Sequence, residues 1–239
     1  MESTHMDTPR AEFRAWDFRR IARDKLKGNW GIALGTSLLF SICCFAIQGI
    51  ASGVAAAVSG SAAYFYSYGY FNGLSGISLL LSIALSLAGS SLIASLSLGH
   101  DLFYIDLCNN KSNLSTLFSR FGIFLKAFGL VLFMGLFVFL WSLLLVIPGI
   151  IAAYRYYMAP FLMAQHPEMG IREAVNESKR LMAGHKGRLF CLQLSFIGWA
   201  LLAALTFGIG YLWLIPYVQT SMAAFYLDRT GQGIPLNAN

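Results

Sequence analysis

The sequence predicts an all-α membrane protein: a six-transmembrane-helix bundle with amphipathic cytoplasmic helices. Three observations lead there. Of the 239 residues, 57% are hydrophobic and only 12% are charged, about half the charged share of a soluble domain. The mean hydropathy is +0.62. No Asp, Glu, Lys or Arg lies between Lys27 and Asp101, a stretch far longer than the roughly 20 residues that one membrane-crossing helix needs.

Along the chain, residues 1–5 read as a cloning scar ahead of Met6 and residues 6–28 as a basic cytoplasmic N-terminal helix. Residues 29–229 form one six-span membrane domain, and residues 230–239 a cytoplasmic tail. In the N-terminal helix Phe18, Ala22 and Leu26 recur every fourth residue beside Ile21, a stripe suited to the inner membrane surface or to a docking partner. The charged start and the full-length first apolar run predict direct insertion without a cleaved leader. Span one covers about 31–58, with Gly31/Gly35 and Gly49/Gly53 as small-residue pairs, and span two about 77–98. In span two Ser78, Ser82, Ser86 and Ser90 recur at helical spacing, a ridge for close helix packing or for a polar conduit. The intervening loop carries the aromatic run Tyr64 to Phe71, which fits a membrane boundary.

The apolar region from Phe124 to Gln165 is interrupted at Ile147-Pro148-Gly149, where a chain turns or kinks. That gives spans at about 124–145 and 148–165. The uncharged stretch from Leu189 to Leu227 breaks at Phe207-Gly208-Ile209-Gly210, giving spans at about 188–206 and 209–228. Between them, a helix over 170–183 places Ile171, Ala174, Val175, Leu181 and Met182 on one stripe, with Gly184 as its cap. It reads as a helix packed under the bundle or as a coupling element.

Orientation follows from the tendency of Lys and Arg near span ends to stay on the cytoplasmic side. With both termini inside, every one of the 17 basic residues except Arg155 lies on that side, as do all 11 acidic residues. The net charge of +6 then describes an inner face suited to anionic phospholipid headgroups, with no call for nucleic acid. The cysteines are Cys43, Cys44, Cys108 and Cys191; none faces an oxidising compartment, and no disulfide is expected.

Arg155 is the candidate site residue, because a guanidinium at the middle of a span is costly and normally faces the bundle interior or a hydrated cavity. Its candidate partners are Gln48, Gln193, Gln219 and tyrosine hydroxyls such as that of Tyr154, with Gln219 favoured for its place beyond Pro216. Nothing points to catalysis. His100, His166 and His185 read as solvated loop residues without metal-ligand spacing, and Asp101 and Asp106 as charges closing span two. There is no phosphate loop, nucleophile elbow or CxxC, so no enzyme, cofactor or metal is expected.

The most specific string is Ser178-Lys179-Arg180-Leu181-Met182-Ala183-Gly184-His185-Lys186, preceded by Ile147-Pro148-Gly149 and Tyr154-Arg155-Tyr156. It is followed by Leu194 to Trp199 and by Phe225-Tyr226. With Asp101 to Phe121 ahead of them, these residues resemble the bacterial integral-membrane family known as domain of unknown function 975. The resemblance implies a multi-pass protein of the bacterial cytoplasmic (inner) membrane with no assigned reaction. It sets Arg155 and the Ser178, Lys179, Gly184, His185 and Lys186 turn within the family pattern. Two functions remain in view: a bundle that binds or moves a small anionic or amphiphilic, lipid-like ligand, or a scaffold that engages a protein partner through its basic helices.

Overall fold

The computed structural model describes residues 13–67 and 73–233. Among these, helices and the turns between them account for the whole architecture. Helix α1 (Ala15–Leu26) begins where the Asp17 carboxylate accepts the Arg14 N–H at 2.7 Å. Its buried stripe is Phe18, Ile21, Ala22 and Leu26, with Lys25 beside it, as the spacing predicts. The stripe is covered by the protein itself, Phe18 meeting Phe225 edge to face at 5.3 Å.

Helices α2 (Trp30–Ser67) and α3 (Gly73–Cys108) form a long hairpin whose close contact is Gly89 against Ala51 and Ile47. Gly31, Gly35, Gly49 and Gly53 face open space and make no such contact. Nor do the serines form the expected packing ridge. Ser82, Ser86 and Ser90 donate to carbonyls one turn back in their own helix, which satisfies a hydroxyl without a neighbouring helix. The side chains of Ser78 and of the aromatic run Tyr64 to Phe71 lie outside the described residues.

Helix α3 continues ten residues past the predicted end of span two. No proline interrupts that stretch, and Phe103, Tyr104, Ile105 and Leu107 are buried in it. His100 is therefore no loop residue: it is 3% exposed, stacked on Phe40 at 4.3 Å, and its Nε2 has no hydrogen-bond partner among the described residues. Two 3-10 turns, Leu114–Phe118 and Phe121–Ile123, lead into α4 (Phe124–Leu144). The first turn presses its backbone onto α3 at Gly99.

The α4 hairpin closes at a single extended residue, Leu145, and α5 (Val146–Tyr156) folds back along α4. Gly149 permits this, since a side chain there would strike Ser142. Pro148 sits inside the first turn of α5 rather than at the hairpin, where a missing N–H costs no helix bond. The chain breaks again at Tyr157-Met158, before α6 (Ala159–Gln165) with Pro160 in its first turn. Thus the span expected at 148–165 is not one straight helix. The 11 residues of α5 reach about 16 Å at 1.5 Å per residue, roughly half of a ~30 Å hydrocarbon core.

Helix α7 (Ile171–Leu181) is capped by Glu173 and buries Ala174, Val175 and Ser178. Its exposed face carries the Glu177–Arg180 pair, in which Arg180 holds the Glu177 carboxyl below its ordinary pKa. Gly184, with φ +77°, turns the chain three residues after α7 ends. Helices α8 (Lys186–Leu205) and α9 (Tyr211–Arg229) complete the bundle as a third hairpin. At its charged end Asp228 pairs with Arg229 at 2.9 Å and with Arg188 at 3.7 Å, and Arg188 also donates to the Phe13 carbonyl.

Among the described residues, four helical stretches are long and apolar enough to cross a membrane: Trp30–Ala57, Leu79–Cys108, Leu114–Leu144 and Lys186–Leu205. Helix α9 has comparable length but carries Gln219, Thr220, Ser221 and Asp228. The bundle is polarised along its length. Phe18, Phe103, Tyr104, Phe225 and Tyr226 are fully buried at the charged end. At the other end the hairpin tips present Leu143 to Ile147 and Leu205, Phe207 and Ile209 without cover, as suits a hydrocarbon solvent.

Candidate functional site

The extension of α3 carries Asp101 past the predicted span end and into the bundle, where it faces α9 across a cleft. This cleft has a volume of about 480 Å³. Apolar residues of α4 such as Val131 and Met134 make one wall, Pro160 and Phe161 of α6 another, and its polar groups are Asp101, Tyr157 and Gln219. The break before α6 is what presents Tyr157 to the cleft that Asp101 also lines. One turn earlier, the Tyr154 hydroxyl donates to Gln193 Oε1 at 2.6 Å. Gln193 and Gln219 also line a neighbouring groove of about 290 Å³ between α8 and α9.

Of the residues singled out in the sequence, Tyr154, Gln193 and Gln219 converge here. Gln48 does not; it is exposed on α2. Arg155 is also exposed, which corrects the expectation of an inward guanidinium partnered by Gln219. The reason is the broken helix. The Arg155 carbonyl accepts the Ser178 hydroxyl of α7 at 2.9 Å, so the residue lies level with a charged amphipathic helix, not halfway along an apolar span. Its side chain makes no hydrogen bond, ion pair or ring contact among the described residues.

The Ser178 to Lys186 string proves to be a structural clasp. The buried Ser178 hydroxyl donates to Arg155 O and accepts the Met158 N–H at 3.1 Å, bridging the two backbone groups at the break between α5 and α6. Lys179 lies over the Tyr156 ring at 5.7 Å. Gly184 and His185 form the turn, and Lys186 opens α8.

Asp101, Tyr157 and Arg19 were not identified as site residues from the sequence. Asp101 was legible in principle, because nothing after Leu98 stops a helix. Tyr157 depends on the break at Tyr157-Met158 before α6, which the linear reading did not mark. Arg19 belongs to the basic N-terminal helix, yet its guanidinium lies 5.4 Å from the Phe196 ring centre and donates to the Tyr217 hydroxyl at 3.3 Å. Among the described residues, no group of three or more His, Cys, Asp or Glu is arranged to hold a metal, and all four cysteines are free.

Neither a curated protein nor a solved structure matches the chain. The matched family region takes in α5 to α9, with Arg155, the clasp, Gln193 and Gln219, and leaves Asp101 and the Asp101 to Phe121 stretch outside it. Residues 142–232 match the model of the family described as Protein of unknown function (DUF975), the family that the sequence resembles.

Proposed function

We propose that this chain is a multi-pass protein of the bacterial cytoplasmic membrane, both termini in the cytoplasm, that binds or moves an amphiphilic, lipid-like ligand and catalyses no reaction. In this reading the chain crosses six times, with α5 a short fourth crossing that returns to the level of α7. The observation that carries it is the cleft: a mostly apolar chamber with Asp101, Tyr157 and Gln219 gathered in it, the pairing of apolar walls and a few polar groups that suits a small amphiphile. Arg155 lies away from these groups, so the ionisable residue in the cleft is a carboxyl. That favours a ligand whose head is cationic or a hydrogen-bond donor over an anionic one. The scaffold reading draws less support, because the apolar stripes of α1 and α7 are already buried against the protein's own bundle.

The test is thermal melting of the intact chain in lipid nanodiscs with decylamine or decyl phosphate added. A ligand that binds only the folded state raises the melting temperature. Decylamine is expected to do so, and Asp101→Asn to abolish the rise while leaving the unliganded melt close to the parent's. A decylamine effect indifferent to Asp101→Asn, or a decyl phosphate rise that Asp101→Asn abolishes, would reject the assignment.

A further inference from the structure

A second site lies outside the cleft, on the α8–α9 seam, and its defining group is a cation. Arg19 projects from α1 so that its guanidinium rests near the Phe196 ring, with Nε bonded to the Tyr217 hydroxyl at 3.3 Å. It is half-buried. Elsewhere on the same end Arg188 and Arg229 meet the Asp228 carboxylate. Among the described residues, no carboxylate lies within ion-pair distance of Arg19. The Tyr217 hydroxyl accepts from Arg19 and donates to no described group, so its proton is also available. A guanidinium with unused terminal nitrogens beside a phenol proton is a donor set matched to phosphate oxygens.

The surroundings specify what the phosphate is attached to. Phe196 belongs to the wall of the 290 Å³ groove. Tyr217 belongs to the wall of another of about 300 Å³, flanked by Trp199 and Trp213 and almost wholly apolar. Both run from the Arg19 level toward the apolar hairpin tip, the direction an acyl chain takes from a headgroup at the charged end.

We propose that Arg19 and Tyr217 bind the phosphate of an anionic phospholipid whose acyl chain lies along the α8–α9 seam. The charge complementarity, and not the apolar groove alone, identifies the occupant. A lipid held there ties α1 to the bundle and makes the fold respond to the anionic lipid content of its membrane. This does not depend on the amphiphile reading of the cleft, and Asp101→Asn is expected to leave it intact.

The test is melting of the full chain in detergent with added dioleoyl phosphatidylglycerol, with dioleoyl phosphatidylcholine, or with inorganic phosphate alone. At a hundredfold excess over Kd the anionic lipid is expected to raise the melting temperature by about 5 to 10 °C, with little rise from the other two. Arg19→Gln should remove the preference for the anionic lipid, whereas Arg20→Gln, the same charge loss at the exposed neighbour, should retain it. Tyr217→Phe should cut the preference to less than half, which keeps the proposal testable if Arg19→Gln does not fold. The proposal is overturned by a preference that persists in Arg19→Gln or is undiminished in Tyr217→Phe. Equal loss in Arg20→Gln would reduce the effect to surface charge, and the same stabilisation by phosphate alone would remove the lipid chain from the site.

Discussion

Replacing Gly99 by alanine tests the packing that positions Asp101, two residues further along α3. A Cβ at Gly99 would lie 2.0 Å from the Leu117 carbonyl oxygen, 2.7 Å from its carbon and 3.1 Å from its Cα. Ordinary contact begins near 3.4 Å, so the 3-10 turn would have to retreat by more than an ångström. Its atoms are backbone, and Leu117 is fully buried, so no flexible side chain can absorb the clash. Overpacking of this kind costs about 1–3 kcal/mol, which lowers the melting temperature of a chain this size by roughly 2–12 °C. The control is Gly53→Ala, where nothing lies within 4 Å and a helical glycine-to-alanine change is worth about 0.5–1 kcal/mol in the stabilising direction. Melting of both variants in the same detergent is the assay. A Gly99→Ala protein that melts at or above the parent would refute the close approach of the turn to α3, and with it the placement of Asp101.

Val175→Asp replaces a side chain only 1% exposed; it loses about 1.5–3 kcal/mol of burial and places a carboxyl in the dry packing of α7. The expected result is a sharp fall in folded yield and melting temperature, and a variant that melts like the parent would show that stripe to be solvated. Ser178→Ala should cost about 1–3 kcal/mol, because two buried backbone groups lose their partner; calorimetric or fluorescence melting measures it. Arg155→Gln is expected to change stability by no more than about 0.5 kcal/mol, since the guanidinium is exposed, and a large loss on melting would contradict that placement. For topology, an impermeant thiol reagent applied outside intact cells should label a cysteine placed at Ser61 and spare one at Asn113; the reverse would invert the orientation.

Local chemistry made the secondary structure legible. The stripes of α1 and α7 and the three hairpins leave periodic or compositional marks, and the described helices fall where those marks lie. What the sequence did not distinguish was how many of several plausible breakers mark a break. Pro148 and Pro160 each stand in the first turn of a helix that follows an interruption, at Leu145 and at Tyr157-Met158, but the linear reading marked only the first as a break. That second break moves Arg155 from the middle of a span to the level of α7.

The sequence by itself determined a helical, multi-pass character, because hydrocarbon-scale apolar runs and the segregation of charge depend only on composition along the chain. Tertiary structure decided which polar groups meet. Asp101, Tyr157, Gln193 and Gln219 come from α3, the α5–α6 break, α8 and α9, and Arg19 reaches its tyrosine across nearly the whole length of the chain. Such meetings are set by helix rotation and tilt. Those depend on side-chain packing between elements distant in sequence, and no spacing within any one of them encodes it.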